Sequence, residues 1–306
     1  MLTMSAKQRI AKYLASTGLE SRRNIEKMIF DKQVSVNGVV LETPATLVDG
    51  TETILVNGKL VGSRLPPRLW LYYKPRGLIV THDDPEMRKT VFDALKHKIP
   101  RCVSVGRLDL DSEGLLLLSN VGSVIHYLES PKTGWDRCYK VRVFGKPDEP
   151  TFDAMRQGVT IAGIHYKPMQ VSEIVPLPKI ASSFAAAAKA SNSSKPPANN
   201  WLSMTLTEGK NREIRRVLDH FGLIVSRLLR IRYGPFTLGD LKTGELREVP
   251  YDVLVQHIPQ TVLDGTYSGR KNKNANKGQK VEGEEEEEEE EEENNDQSNN
   301  SSTSNT

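Results

Sequence analysis

Apolar positions recur along this chain at two spacings, and the changes between them mark out its elements. Ile10 and Leu14 lie one helical turn apart, behind Ser5-Ala6-Lys7-Gln8, which reads as a capping box, and ahead of Gly18, which ends the helix. Ile25, Met28 and Ile29 repeat at i, i+3, i+4 behind Ser21 and predict a second helix with Ser21 as its cap. The period then drops to two. In VSVNGVVL, alternating valines flank Asn37-Gly38, a two-residue hairpin signal. Residues 5–62 are therefore expected to form a module of two short helices and a hairpin.

After the stiff linker RLPPR, LWLYYKP predicts a strand stopped by Pro75, followed by a short helix over 91–95. In VSVGRLDLDSEGLLLLSNVG a polar turn is followed at once by the apolar run 115–118, which reads as a buried strand. CYKVRVFG predicts a strand, TFDAMRQGV a helix, and YKPMQVSEIVP an extended segment. NWLSMTL then leads through the basic turn EGKNR into a helix with Ile214, Val217, Leu218 and Phe221 at helical spacing. Short strands and glycine turns are expected to complete a domain over 68–258. Many strands with few short helices indicate the α+β class. Within that domain, residues 176–200 are rich in Ser, Ala, Pro and Asn and read as a low-complexity insertion. Residues 265–306 read as a disordered acidic tail.

Composition sharpens this picture through charge. The net charge of +3 over 306 residues hides a split: 265–306 hold five basic and twelve acidic groups, among them the run 284–293 of glutamates, so the body is strongly basic. A basic body points to a polyanion, nucleic acid above all. No apolar run approaches the ~20 residues that a spanning helix needs. No secretion signal is visible, so a cytoplasmic protein without a membrane partner is expected. Cys102 and Cys138 form no close pair and read as reduced packing residues. The six histidines lack ligand spacing, and no metal site is expected.

The candidate chemistry lies in the polar turn. Arg107 and Asp109, two apart on an extended segment, face a common side. On the residues alone two readings compete: a simple turn former, or a metal site on Asp109, Asp111 and Glu113. On the second predicted helix, Arg22, Arg23 and Lys27 fall opposite the apolar stripe and present a basic face.

Two resemblances bear on these readings. RIAKYLASTGLESRRNIEKMIFDKQVSVNGVV resembles the small RNA-binding domain named after ribosomal protein S-four, in which such a helix face rests on RNA phosphates. GRLDLDSEGLLLLSN resembles the central motif of RNA pseudouridine synthases of the RsuA/RluB-type family. YYKPRGLIVTHDDPEMRKTVFDAL, CYKVRVFG, EGKNREIRRVLDHFG and VSRLLRIRYGP resemble its other motifs. The resemblance implies a catalytic domain with a mixed or antiparallel sheet and a central cleft. It implies that Asp109 is the catalytic aspartate, that Tyr139 stacks on the target uracil, that Arg215 pairs with the aspartate, that Leu228 packs in the uridine pocket, and that Arg107 fills the stack left by the extruded base. Val121 and Cys138 depart from the family pattern, which commonly has an acidic and a polar residue there.

The chemistry so implied converts a uridine to pseudouridine with no atom gained or lost, so no cofactor is required. The aspartate must be ionised to act, and burial opposes ionisation, which calls for an arginine partner. The expected partner is ribosomal RNA, of the large subunit in preference, or a pre-ribosomal particle, met by a monomeric enzyme. An inactive rRNA-binding assembly factor and a synthase acting on another RNA are the rival readings.

Overall fold

The computed structural model describes residues 7–174 and 199–265. Ser5, and all but the edge residues of the expected insertion and acidic tail, lie outside that range.

The N-terminal module contains helices α1 (Ile10–Ser16) and α2 (Arg22–Phe30). The start of α1 differs from expectation. Gln8–Arg9 pair as a short strand with Leu47–Val48, and the Ile10 amide donates to the Thr46 carbonyl at 2.9 Å. This pairing satisfies the first amide of the helix, and the N-cap, Arg9, makes no side-chain cap. Ser21 caps α2 as expected, its Oγ accepting from the Asn24 amide at 3.0 Å. Strands β1 (Val34–Val36) and β2 (Val39–Val40) are joined by Asn37-Gly38, both at positive φ (48° and 83°), the geometry of a tight primed turn. A second Asn-Gly turn, at 57–58, joins β3 (Ile54–Val56) to β4 (Lys59–Leu60), so the module carries a four-stranded sheet in the order β2-β1-β3-β4. Ile10, Leu14, Ile25, Ile29, Val34 and Val48 form its core.

The second domain is built on one large sheet. Its main strands are β5 (Leu69–Lys74), β6 (Glu113–Ser119), β7 (Arg137–Phe144), β8 (Gln170–Glu173), β9 (Asn199–Leu206), β10 (Ile224–Tyr233) and β11 (Leu246–Glu248). Their order is β8-β9-β7-β10-β6-β5-β11. Every neighbouring pair is antiparallel except β10 and β6, which run parallel, with Leu229 opposite Glu113 and Arg230 opposite Gly114. The sheet is therefore mixed.

The four leucines of β6 explain the unbroken apolar run. Leu115 and Leu117 pack on one face with Leu69, Val124 and Leu254, and Leu116 and Leu118 on the other with Trp70, Val91 and Leu95. A strand covered on both faces has no polar side to alternate with. The first face is covered by α4 (Gly122–Glu129), which follows the short α3 (Val91–Leu95), and by the closing helices Tyr251–His257 and Gln260–Leu263. The closing helices were not among the expected elements, although Leu254 and Ile258 are one turn apart and both are buried. The β7–β10 half has its own core, where α5 (Glu149–Gln157) and α6 (Glu213–His220) cover Val141, Val143, Leu202 and Met204.

The two halves meet at the parallel joint. Arg227 binds Glu113 through Nε at 2.6 Å and Nη2 at 3.1 Å, and Arg230 Nε donates to the Leu115 carbonyl at 2.7 Å. Gly114 makes this approach possible. It sits at φ 103°, and a Cβ there would overlap the Arg230 carbonyl oxygen and lie 2.8 Å from the Arg230 amide nitrogen and from Leu229 Cδ1. Gly114→Ala is expected to destabilise the protein by about 2–4 kcal/mol, whereas Gly209→Ala, at an open site, is expected to be close to neutral. Urea denaturation of both variants checks this.

Candidate active site

The carboxylate loop, 105–112, leaves the short strand Val103–Ser104 and returns into β6. Val105 and Leu108 are buried, while Arg107 and Asp109 line a cavity of about 1090 Å³. Arg107 and Asp109 thus border the same cavity, with Leu108 between them on its lining as well. The loop is closed by the Ser112 amide, which donates to the Asp109 carbonyl at 3.1 Å, and is tied to its neighbour by the Gly77 amide, which donates to the Leu110 carbonyl at 2.8 Å.

Beneath the loop lies Lys74, at the end of β5 and fully buried. Its Nζ donates to the carbonyls of Pro75 (3.0 Å), Asp109 (3.0 Å) and Ser112 (2.8 Å). Burial pulls its ammonium down to about 8, against Asp109, Asp111 and Glu113, which favour the charged form. Lys74 was not singled out from the sequence. The available signal was a lysine closing an apolar strand with no water-facing side to occupy.

The arginines sit at the start of α6. Arg212 occupies the N-cap in the left-handed region (φ 51°, ψ 32°). Its Nη1 lies 3.6 Å from Asp109 Oδ2 and 3.5 Å from Asp111 Oδ1. Arg215 binds Asp111 instead, with Nη2 3.1 Å from Oδ2, and donates to the Asp111 and Val225 carbonyls at 3.3 Å each. In this arrangement the ion pair to Asp109 comes from Arg212, and Arg215 stands one carboxylate away. The reason is local. The left-handed residue turns the chain into α6, so the side chains at 212 and 215 approach the loop from different heights. Asp109 is also less enclosed than expected, its side chain 34% exposed.

Tyr139 lies on β7 opposite Met204 and Arg230, beside a register shift between residues 138 and 139. Such a bulge re-aims the side chain that follows it. Tyr139 is half-buried between two of the cores and lines the cavity, as does Leu228, buried on β10. Arg107, Asp109, Tyr139 and Leu228 therefore share one cavity, and Arg215 stands outside its lining. Cys102 and Cys138 are free and buried. Cys138 Sγ accepts from Arg232 Nη2 at 2.7 Å, and Val121 heads α4 without a side-chain cap. In the N-terminal module, Arg22, Arg23 and Lys27 are exposed on α2, with the Arg22 guanidinium packed over Gly122 at the start of α4.

The cavity also holds a carboxyl pair in the turn before α6. Glu213 is buried, its Oε2 accepting from the Lys210 amide at 2.9 Å; burial, with Glu208 beside it, pushes its carboxyl up to about 7. The folded protein thus holds this proton to higher pH than the unfolded chain does. Glu213 favours folding below its ordinary value of 4.5, and that advantage disappears as pH rises to about 7. Urea midpoints should fall over that window, and Glu213→Gln should flatten the fall. In the same site, Lys74→Met strips three carbonyls of their donor and is expected to destabilise the protein by about 1–3 kcal/mol. Urea denaturation of the variant beside the wild type checks this.

Comparison with known proteins agrees with the geometry. The family model for RNA pseudouridylate synthase matches residues 68–220, and the S4 domain model matches residues 8–54. The chain is 45% identical over 242 residues to an RNA pseudouridine synthase of Rickettsia bellii, covering 79% of this chain and 96% of the relative. It is 35% identical over 285 residues to the ribosomal large subunit pseudouridine synthase B of Pasteurella multocida, covering 87% and 76%. A crystal structure of a pseudouridylate synthase shares the fold, with a TM-score of 0.54 and 22% identity, covering 82% of this chain and 99% of that one. The protein is an RNA-modifying isomerase: it belongs to the RNA pseudouridine synthase family and carries an N-terminal S4 domain.

Proposed function

We propose that this protein isomerises one specific uridine of large-subunit ribosomal RNA to pseudouridine, without cofactor or metal. The observation that carries the reading is the meeting of Asp109, Tyr139, Leu228 and Arg107 on a single cavity. Its volume of about 1090 Å³ exceeds what one small ligand needs and suits an extruded nucleotide with part of its strand. The large-subunit assignment rests on the names of relatives such as that of Pasteurella multocida.

In this reading Asp109 is the catalytic carboxylate, acting on the nucleotide as its C–N glycosidic bond breaks. The freed uracil turns on the face of Tyr139, against Leu228, until C5 bonds to the ribose and its proton leaves. Arg212 sets its guanidinium beside the Asp109 carboxylate. Extruding the base costs a few kcal/mol, and Arg107 offsets part of that by filling the gap in the stack. Arg22, Arg23 and Lys27 hold phosphates and orient the substrate. The substrate is ribosomal RNA or a pre-ribosomal particle. The enzyme works in the cytoplasm as a monomer. Among the described residues no helix is long and apolar enough to cross a membrane.

Carbodiimide labelling with primer extension on unmodified rRNA tests this. Wild-type protein should create one new stop, and Asp109→Asn should slow its appearance about a thousandfold or more. RNA binding by both proteins with no new stop would favour the assembly-factor reading.

A further inference from the structure

A second cavity, of about 290 Å³, shares Arg212 with the large one. Arg212, Arg215 and Arg216 line it, over an apolar floor of Leu223, Ile224 and Val225. Asp219 is the one carboxylate among its lining residues. Asp111 and Asp109 engage Arg212 and Arg215 in part. Arg216 makes no ion pair among the described residues, its Nη2 donating to Asn211 Oδ1 at 3.3 Å. Arg215 Nε is buried without a hydrogen-bond acceptor. Burial lowers the pKa of Arg215, Asp111 opposes the shift, and Arg212 adds to it. Ile224 is 60% exposed, a large apolar side chain turned to solvent beside the arginines.

Arg216 without an ion pair, beside Arg215 with a buried Nε that has no acceptor, offers a site for an anion, and their planar forks match phosphate oxygens. An exposed aliphatic floor alongside matches the face of a base or sugar. Arg212, which borders both cavities, holds a left-handed backbone that costs on the order of 1 kcal/mol, and such strain gathers where function needs it. We propose that this cavity is a second RNA subsite, receiving the phosphodiester and base of a nucleotide that flanks the target uridine. The inference rests on the large cavity being the uridine site, since the strand would cross Arg212 from one cavity into the other.

Arg216→Ala and Arg216→Lys test the proposal on an rRNA fragment that contains the modified uridine. For Arg216→Ala the KM should rise about five- to tenfold, with kcat within about twofold of wild type and the salt slope of RNA binding smaller by about one. Arg216→Lys should recover most of the loss. On fragments trimmed stepwise from either side of the uridine, the Arg216→Ala penalty should vanish once the flanking nucleotide is gone. An unchanged KM and salt slope, or a penalty that survives trimming on both sides, overturns the subsite. Binding is read by anisotropy of labelled RNA and does not depend on turnover. If wild-type protein forms no pseudouridine on any rRNA, the uridine reading fails by itself, and the salt slope still decides whether this cavity holds a phosphate. A retained affinity for rRNA with a gain of binding only to acidic peptides would assign the cavity to a protein partner and overturn the RNA subsite.

Discussion

The parallel contact between β6 and β10 is the constraint on which the domain depends. Two residue pairs join the halves of the sheet there, Leu229 with Glu113 and Arg230 with Gly114. So short a seam must be reinforced, and it is: the Arg227–Glu113 pair spans it on one side, and the Arg230 side chain reaches the Leu115 carbonyl on the other. Glu113 is buried, which raises its pKa, but hydrogen bonds from Arg227 and Tyr73 hold the carboxyl below its usual range, so the pair stays charged. The site is assembled at this seam. The loop bearing Asp109 runs into β6, Leu228 precedes the paired residues of β10, and Tyr139 lies opposite Arg230 on the next strand.

Magnitudes separate what positions the loop from what tunes its charge. The Asp109–Arg212 pair is about a third to a half exposed, at 3.6 Å, and surface pairs of this kind contribute at most about 1 kcal/mol. Holding the loop in place therefore falls to Lys74, buried and donating to three backbone carbonyls. The loop is held from below through its backbone, by a group that touches no side chain of the site. The arginines act from above, on the carboxylates. This division leaves the Asp109 side chain in weak, partly exposed contacts while hydrogen bonds hold its backbone.

The S4 domain and the synthase domain meet through small, polar contacts. The Arg22 guanidinium rests on Gly122, Lys12 Nζ donates to the Gly265 carbonyl at 3.0 Å, and Arg64 donates to Ser16 Oγ at 3.0 Å. Lys12 has its pKa lowered by burial and by Arg22 and Arg64, so cations crowd this junction.

Local patterns determined much of this protein. The Asn37-Gly38 turn, the Ser21 cap, the strand stopped at Pro75, the buried leucine run and the alternation of Arg107 with Asp109 depend on neighbours in the chain, so each was legible in the sequence. The second Asn-Gly turn and the Leu254–Ile258 helix were legible by the same rules and passed unread. The motif resemblance carried further and brought Tyr139 and Leu228 to the cavity, although a tyrosine or leucine on a strand is by itself only core. Tertiary structure alone decided the rest. Which arginine reaches Asp109 depends on the left-handed turn at residue 212 and on the height of α6 above the loop. Lys74 became the anchor of that loop only when sheet pairing placed it under three carbonyls. The seam at Gly114 required two strands more than a hundred residues apart to touch, and no spacing within either strand encodes that distance.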